Sequence, residues 1–229
     1  MGSSSAAASG NDLSFGRYDY SRSELIADGV VHAIGIVLAL SAGSALLSLA
    51  FVRTGPWEYV AATFHVVSLI AVLSISMVYN LWPASPTKWL LRRLDHSAIF
   101  LLIAGTYTPV LAQLPDRTLA AGMTAFIWTA ALIGVAIKLL LPGRFDRLAI
   151  VFYLAMGWSG VLLSRHLAEI LSLPTLWLLA AGGAAYSLGV LFFIWQSLRF
   201  QNAAWHAFVV AGAGLHLAAM MDCLVIQRL

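Results

Sequence analysis

Charged side chains are what this sequence has least of: 13 Lys and Arg and 10 Asp and Glu, or 10% of 229 residues, against about 25% in an ordinary soluble domain. A chain that is also 61% hydrophobic, with a mean hydropathy of +0.87, has too little polar surface to cover a water-soluble fold. It is predicted to be an integral membrane protein. Cysteine is nearly absent: Cys223 alone excludes an internal disulfide and any CxxC metal or redox pair, and reads as a small apolar residue near the end of the last span. No basic patch interleaved with aromatic residues is present, so the formal charge of +3 does not mark a nucleic-acid-binding protein.

Apolar stretches run at 25–52, 57–82, 97–115, 119–141, 148–164, 174–195 and 204–225. Most reach the ~20 residues that a helix needs to cross a bilayer, and the fifth is the shortest. Turn-forming residues separate them: Gly55-Pro56, Pro83 to Pro86, Pro115-Asp116, Pro142-Gly143 and Pro174. The expected architecture is all-α, a seven-transmembrane helix bundle occupying residues 23–229 as one domain. Residues 1–22 read as a disordered tail, in part an expression scar, without the charged n-region and cleavage site of a signal peptide.

Basic residues favour cytoplasmic loops. The N-terminus and the second, fourth and sixth connections carry Arg17, Arg22, Lys88, Arg92, Arg93, Lys138, Arg144, Arg147 and Arg199, whereas the opposite side carries Arg53, Arg117, Arg165 and Arg228. The asymmetry predicts a cytoplasmic N-terminus and an external C-terminus.

With that topology, the ionisable and amide side chains gather at one depth. Glu24, Asp28 and His32 open the first span, Ser76 and Asn80 close the second, Asp95 and His96 open the third, and Asn202 and His206 open the seventh. Residues four apart share a helix face, so Glu24, Asp28 and His32 form one stripe, Ser76 and Asn80 a second, and Asn202 and His206 a third. Burying a carboxylate or an imidazole in apolar surroundings is costly unless it is paired, and together these stripes predict a polar pocket open towards the cytoplasm.

Each residue taken singly also has a structural reading. Glu24 serves equally as a helix cap, Asp95 as the partner of Arg92 in an interfacial ion pair, and Asn80 and Asn202 as interhelical hydrogen-bonding groups. His65 reads as a hydrogen-bonded core residue. His216 lies ten residues beyond His206, or ~15 Å along a helix, far from the cluster. His166 and Glu169 are placed in an outer loop, and Asp222 facing water. Gly157, Ser159 and Gly160 in the fifth span, and Gly182, Gly183, Ala184, Ala185 and Gly189 in the sixth, suit close helix packing. Trp57, Trp82, Trp89 and Trp205 fit interfacial belts.

Three blocks carry a resemblance: Glu24-Leu25-Ile26-Ala27-Asp28-Gly29-Val30-Val31-His32-Ala33-Ile34-Gly35; Arg92-Arg93-Leu94-Asp95-His96-Ser97-Ala98-Ile99 running into Ile103-Ala104-Gly105-Thr106-Tyr107-Thr108-Pro109; and Trp205-His206-Ala207-Phe208-Val209 with His216. In this order, over nearly the whole chain, they resemble the haemolysin III family of bacterial membrane proteins, related to the progestin and adipoQ receptors and more distantly to the alkaline ceramidases. The resemblance implies a zinc site built from three His, one at the end of the second span four residues after a Ser and two spaced four apart at the start of the seventh. It also implies an Asp at the start of the third span that orients the hydrolytic water.

Carried over residue by residue, Ser76 matches the Ser, Asp95 the Asp, and His206 the second His of the pair. Asn80 and Asn202 stand where the other two His are expected. An amide oxygen is a poor zinc donor, so a zinc cofactor requires a ligand set rebuilt from His32, His96, Glu24 or Asp28, and otherwise the pocket is a metal-free hydrogen-bond network. Three functions stay open: a lipid- or fatty-acid-binding protein of membrane homeostasis or signalling; a metal-dependent lipid amide or ester hydrolase with Asp95 and Ser76 in catalysis and His206 on the metal; and a pore or transporter. Membrane lipids are the expected partners in each.

Overall fold

The computed structural model describes residues 20–141, 143 and 145–229. The tail expected at 1–22 lies, as far as residue 19, outside them. Seven segments are long and apolar enough to cross a membrane, as their hydropathy demands, because a backbone in hydrocarbon must satisfy its own hydrogen bonds. Six are single helices: α1 (Arg22–Arg53), α2 (Pro56–Leu81), α3 (Pro86–Leu111), α4 (Arg117–Leu140), α7 (Leu173–Ile194) and α8 (Gln201–Leu224). The fifth is broken into α5 (Asp146–Trp158), a 3-10 turn (Ser159–Leu163) and α6 (Ser164–Ile170). It spans Asp146–Ile170 in all, longer than its apolar core suggests.

Local chemistry starts these helices where the sequence places turns. Ser21 and Glu24 form a capping box on α1, Pro86 follows the Ser85 cap of α3, and Asp116 accepts the Thr118 and Leu119 amides at 2.9 and 3.0 Å to cap α4.

Glycines do two different jobs in the fifth and sixth spans. Gly182 takes α7 tightly against α8, where an added Cβ would meet the His216 ring and lie 3.1 Å from the Gly212 carbonyl. Gly157 meets nothing within 4 Å, so the expectation of close packing fails there. Instead, the Gly157–Gly160 stretch is where the helix opens. Tyr107 of α3 fills the break: its hydroxyl donates to the Gly157 carbonyl at 2.8 Å and accepts from the Gly160 amide at 2.6 Å and the Ser159 hydroxyl at 3.2 Å. Backbone groups freed inside a membrane are thereby satisfied.

The closest packing follows the order α4, α3, α2, α1, α8, α7 around a ring, and α5 and α6 touch α3, α4 and α7 more lightly. A gap remains between α3, the fifth span, α7 and α8. At the face where the chain ends, Arg228 bridges Glu58 of α2, at 2.9 and 2.5 Å, and Gln113 at 2.8 Å. Asp222 does more than face water: Ser172, Thr175 and Gln227 all donate to its Oδ2, which locks α8 to the start of α7. His166 and Glu169, expected in a loop, are exposed residues of α6.

Candidate functional site

At the face where α1 begins, the three predicted stripes converge. The Asn202 amide donates to Asn80 Oδ1 at 3.0 Å, and the Asn80 amide donates to Ser76 Oγ at 3.2 Å and to the Ser76 carbonyl at 2.9 Å. Ser76 Oγ lies 3.3 Å from His206 Nε2, and His206 Nδ1 lies 2.5 Å from Asp28 Oδ1. A carboxylate only accepts, so His206 donates from Nδ1 to Asp28. Hydrogen-bond contacts thus run without a gap from Asn202 through Asn80, Ser76 and His206 to Asp28. Asp95, also buried, lies beside Ser76 and His206.

His32 completes the cluster from behind. Its ring centroid is 4.3 Å from that of His206, and its Nδ1 donates to the Asp28 carbonyl at 2.9 Å, which leaves a lone pair at Nε2. His32 Nε2 and Asp28 Oδ2 are both buried without a hydrogen-bond partner. Two electron-pair donors left without a proton are costly in a membrane interior. Candidate ligand atoms of Asp28, His32 and His206 lie within 4.8 Å of one another. The three-imidazole arrangement does not fit this chain, since positions 80 and 202 hold amides bonded to each other; a carboxylate with two imidazoles, Asp28, His32 and His206, does match the chemistry of metal sites. Helix 1 supplies two of these three residues.

Other expectations change. Glu24 does not line the pocket: its Oε2 accepts from Ser21 at 2.9 Å and its Oε1 from the Phe200 amide at 3.2 Å, so it caps α1 and ties it to α8. Arg92 makes its 2.5 Å ion pair with Asp146 rather than with Asp95. Lys138 reaches the same carboxylate at 2.6 Å, and His96 Nδ1 stands 4.0 Å from it. Asp146 and Lys138 were missed as site residues; the available signal was Lys138, a cation inside the apolar 119–141 run, with an acid eight residues later across a turn.

These groups close one end of a cavity of about 550 Å³ in the gap beside the fifth span. Asn80, Asp95, His96, Asn202 and His206 are on its wall, while Asp28, His32 and Ser76 lie behind them. Beyond the polar end, Ile99, Ile103, Leu154, Leu179 and Val190 make an apolar body that extends to His216, so His206 and His216 share one cavity despite their separation. His216 bonds the Leu179 carbonyl at 3.2 Å. His65 stays in the core, 3.3 Å from Thr106 Oγ1. Trp57, Trp82 and Trp89 are exposed, as belts require, but Trp205 is half-buried on the cavity wall.

The family model described as Haemolysin-III related matches residues 22–217. The chain belongs to the haemolysin III family. It is 36% identical over 202 residues to a hemolysin-3 homolog of Bacillus subtilis, covering 88% of this chain and 93% of the relative. It is 36% identical over 192 residues to hemolysin-3 of Bacillus cereus, covering 84% and 88%. The human monocyte to macrophage differentiation factor is 32% identical over 211 residues, covering 90% and 86%. That relative is itself one of the progestin and adipoQ receptors, in agreement with the kinship expected from the three sequence blocks. This haemolysin III family member is thus an integral membrane protein.

Proposed function

We propose that this protein binds a membrane lipid or fatty acid in the cavity beside its fifth span and acts in membrane homeostasis or signalling, in a bacterial inner membrane with the α1 end facing the cytoplasm. The observation that carries the reading is the cavity itself, polar at one end and apolar along its body, which is the form of an amphiphile. Its walls include both Lys88 and Val110 of α3, 22 residues or roughly 33 Å apart along a helix. One leaflet of acyl chains is only about half of a ~30 Å hydrocarbon core, so the body accommodates a chain. Mass spectrometry of the full chain released from mild detergent tests this: a retained lipid is expected, and Ile103→Trp, which fills the body, should release it. A wild-type protein free of lipid and unable to take any up refutes the reading.

A second reading, a metal-dependent lipid amide or ester hydrolase, is favoured by Asp28, His32 and His206. A metal ion there would supply a Lewis acid and lower the pKa of water. Asp28 would be fixed by His206, and Asp95 would accept a proton on the cavity side. Metal analysis of protein purified without chelator, alongside hydrolysis of a ceramide or ester probe, decides between the readings.

A further inference from the structure

We propose that Tyr186 and His216 form a second polar station inside the cavity, which receives a hydroxyl carried partway along the chain of the bound lipid. The inference rests on the lipid-binding reading and names the class of lipid, one with a hydroxylated acyl chain. Both residues are on the cavity wall, and their ring centroids stand 5.5 Å apart. A carbonyl only accepts, so His216 donates from Nε2 to Leu179 at 3.2 Å and keeps a lone pair at Nδ1. Among the described residues, none hydrogen-bonds that Nδ1 or the Tyr186 hydroxyl. An unused acceptor and an unused donor thus stand side by side at membrane depth, where a polar group without a partner is costly.

Packing fixes both rings. The Cδ2–Nε2 edge of His216 lies against Gly182 of α7, which puts Nδ1 on the opposite edge, and the Tyr186 ring lies against Gly212 of α8, where an added Cβ would stand 3.0 Å from it. By contrast, Thr106, Tyr107 and Ser187 of the same wall already donate to the Leu102, Gly157 and Gly183 carbonyls, each at 2.8 Å. A chain hydroxyl is both acceptor and donor, so it can take the Tyr186 proton and offer its own to His216, whereas an unsubstituted chain leaves both groups unmet. The depth says where on the chain that hydroxyl belongs. His216 lies ten residues beyond His206, or roughly 15 Å along α8. Carbon–carbon bonds of about 1.5 Å advance an extended chain by about 1.25 Å each, so a lipid with its head at His206 reaches His216 after about twelve carbons.

The full-length protein in a neutral detergent is titrated with three probes: stearate, 12-hydroxystearate and 2-hydroxystearate. The rise in Tm gives each apparent affinity. The 12-hydroxy acid is expected to bind about fivefold more tightly than stearate, the worth of one net hydrogen bond. The 2-hydroxy acid, whose hydroxyl stays at the head, should bind no more tightly than stearate. Tyr186→Phe removes only an oxygen that bonds no described residue, and should erase the preference while keeping the binding of stearate. Both proteins meet the same micelles, so comparing their ratios cancels partitioning into detergent. Equal binding of stearate and 12-hydroxystearate by the wild type overturns the inference and leaves lipid binding intact. An equal gain for the 2-hydroxy acid, or a preference that survives in Tyr186→Phe, overturns the placement at Tyr186 and His216. Binding of none of the three overturns the fatty-acid reading as well. The wild-type comparison of the two hydroxy acids decides even where Tyr186→Phe fails to fold.

Discussion

His206 of α8 and Asp28 of α1 are joined Nδ1 to Oδ1 at 2.5 Å, both buried, and they tie the first and last helices of the bundle together. The pair stands at one end of the run of hydrogen-bond contacts that begins at Asn202. Removing one partner of such a pair leaves the other polar group unsatisfied in a low-dielectric interior. Asp28→Leu should therefore lower the unfolding free energy by about 3–5 kcal/mol, measured by denaturant titration in detergent, while Asp28→Leu combined with His206→Leu should lose less than the single change. A single variant within about 1 kcal/mol of wild type would show that the pair does not hold α1 to α8.

Tyr107 carries the second prediction. Its hydroxyl satisfies the Gly157 carbonyl and the Gly160 amide at the break in the fifth span. Tyr107→Phe keeps the ring and removes only that oxygen, which leaves both backbone groups to find new partners in a membrane. A loss of about 1–3 kcal/mol is expected, together with faster amide exchange at Ser159–Leu163. Unchanged exchange there would mean that the 3-10 turn is set by Gly157 and Gly160 alone.

The seven spans were legible in the sequence because hydropathy and length decide them, and Ser76 with Asn80, and Asn202 with His206, could be grouped because a four-residue spacing puts side chains on one helix face. That logic reaches only within a helix. Lys138 and Asp146 belong to different helices, and each alone looks like a marker of topology or a loop; only the turn between α4 and α5 makes them a pair. Glu24 shares the stripe of Asp28 and His32, yet as the third helical residue after Ser21 it turns back to the cap. Gly157 and Gly160 have the composition of a packing face, and their role in a broken helix depends on a Tyr 50 residues earlier, which no local pattern announces.

Asn80 and Asn202 offer the sharpest experiment on the site. Their amides are bonded at 3.0 Å, and Asn80 is joined through Ser76 to His206, so the three family ligand positions converge even though two of them cannot serve zinc well. Replacing both, Asn80→His with Asn202→His, should create three imidazoles around one point, a donor set suited to zinc. The double variant is expected to retain about one zinc per chain through dialysis against a weak chelator, by elemental analysis. Metal retained by the wild type should sit on Asp28, His32 and His206, and His32→Ala should then abolish its metal content without touching that of the double variant. Equal retention in wild type and double variant, both lost in His32→Ala, would place the metal on α1 regardless of positions 80 and 202. No gain in the double variant would mean that the Asn pair is held too far from His206 for shared coordination.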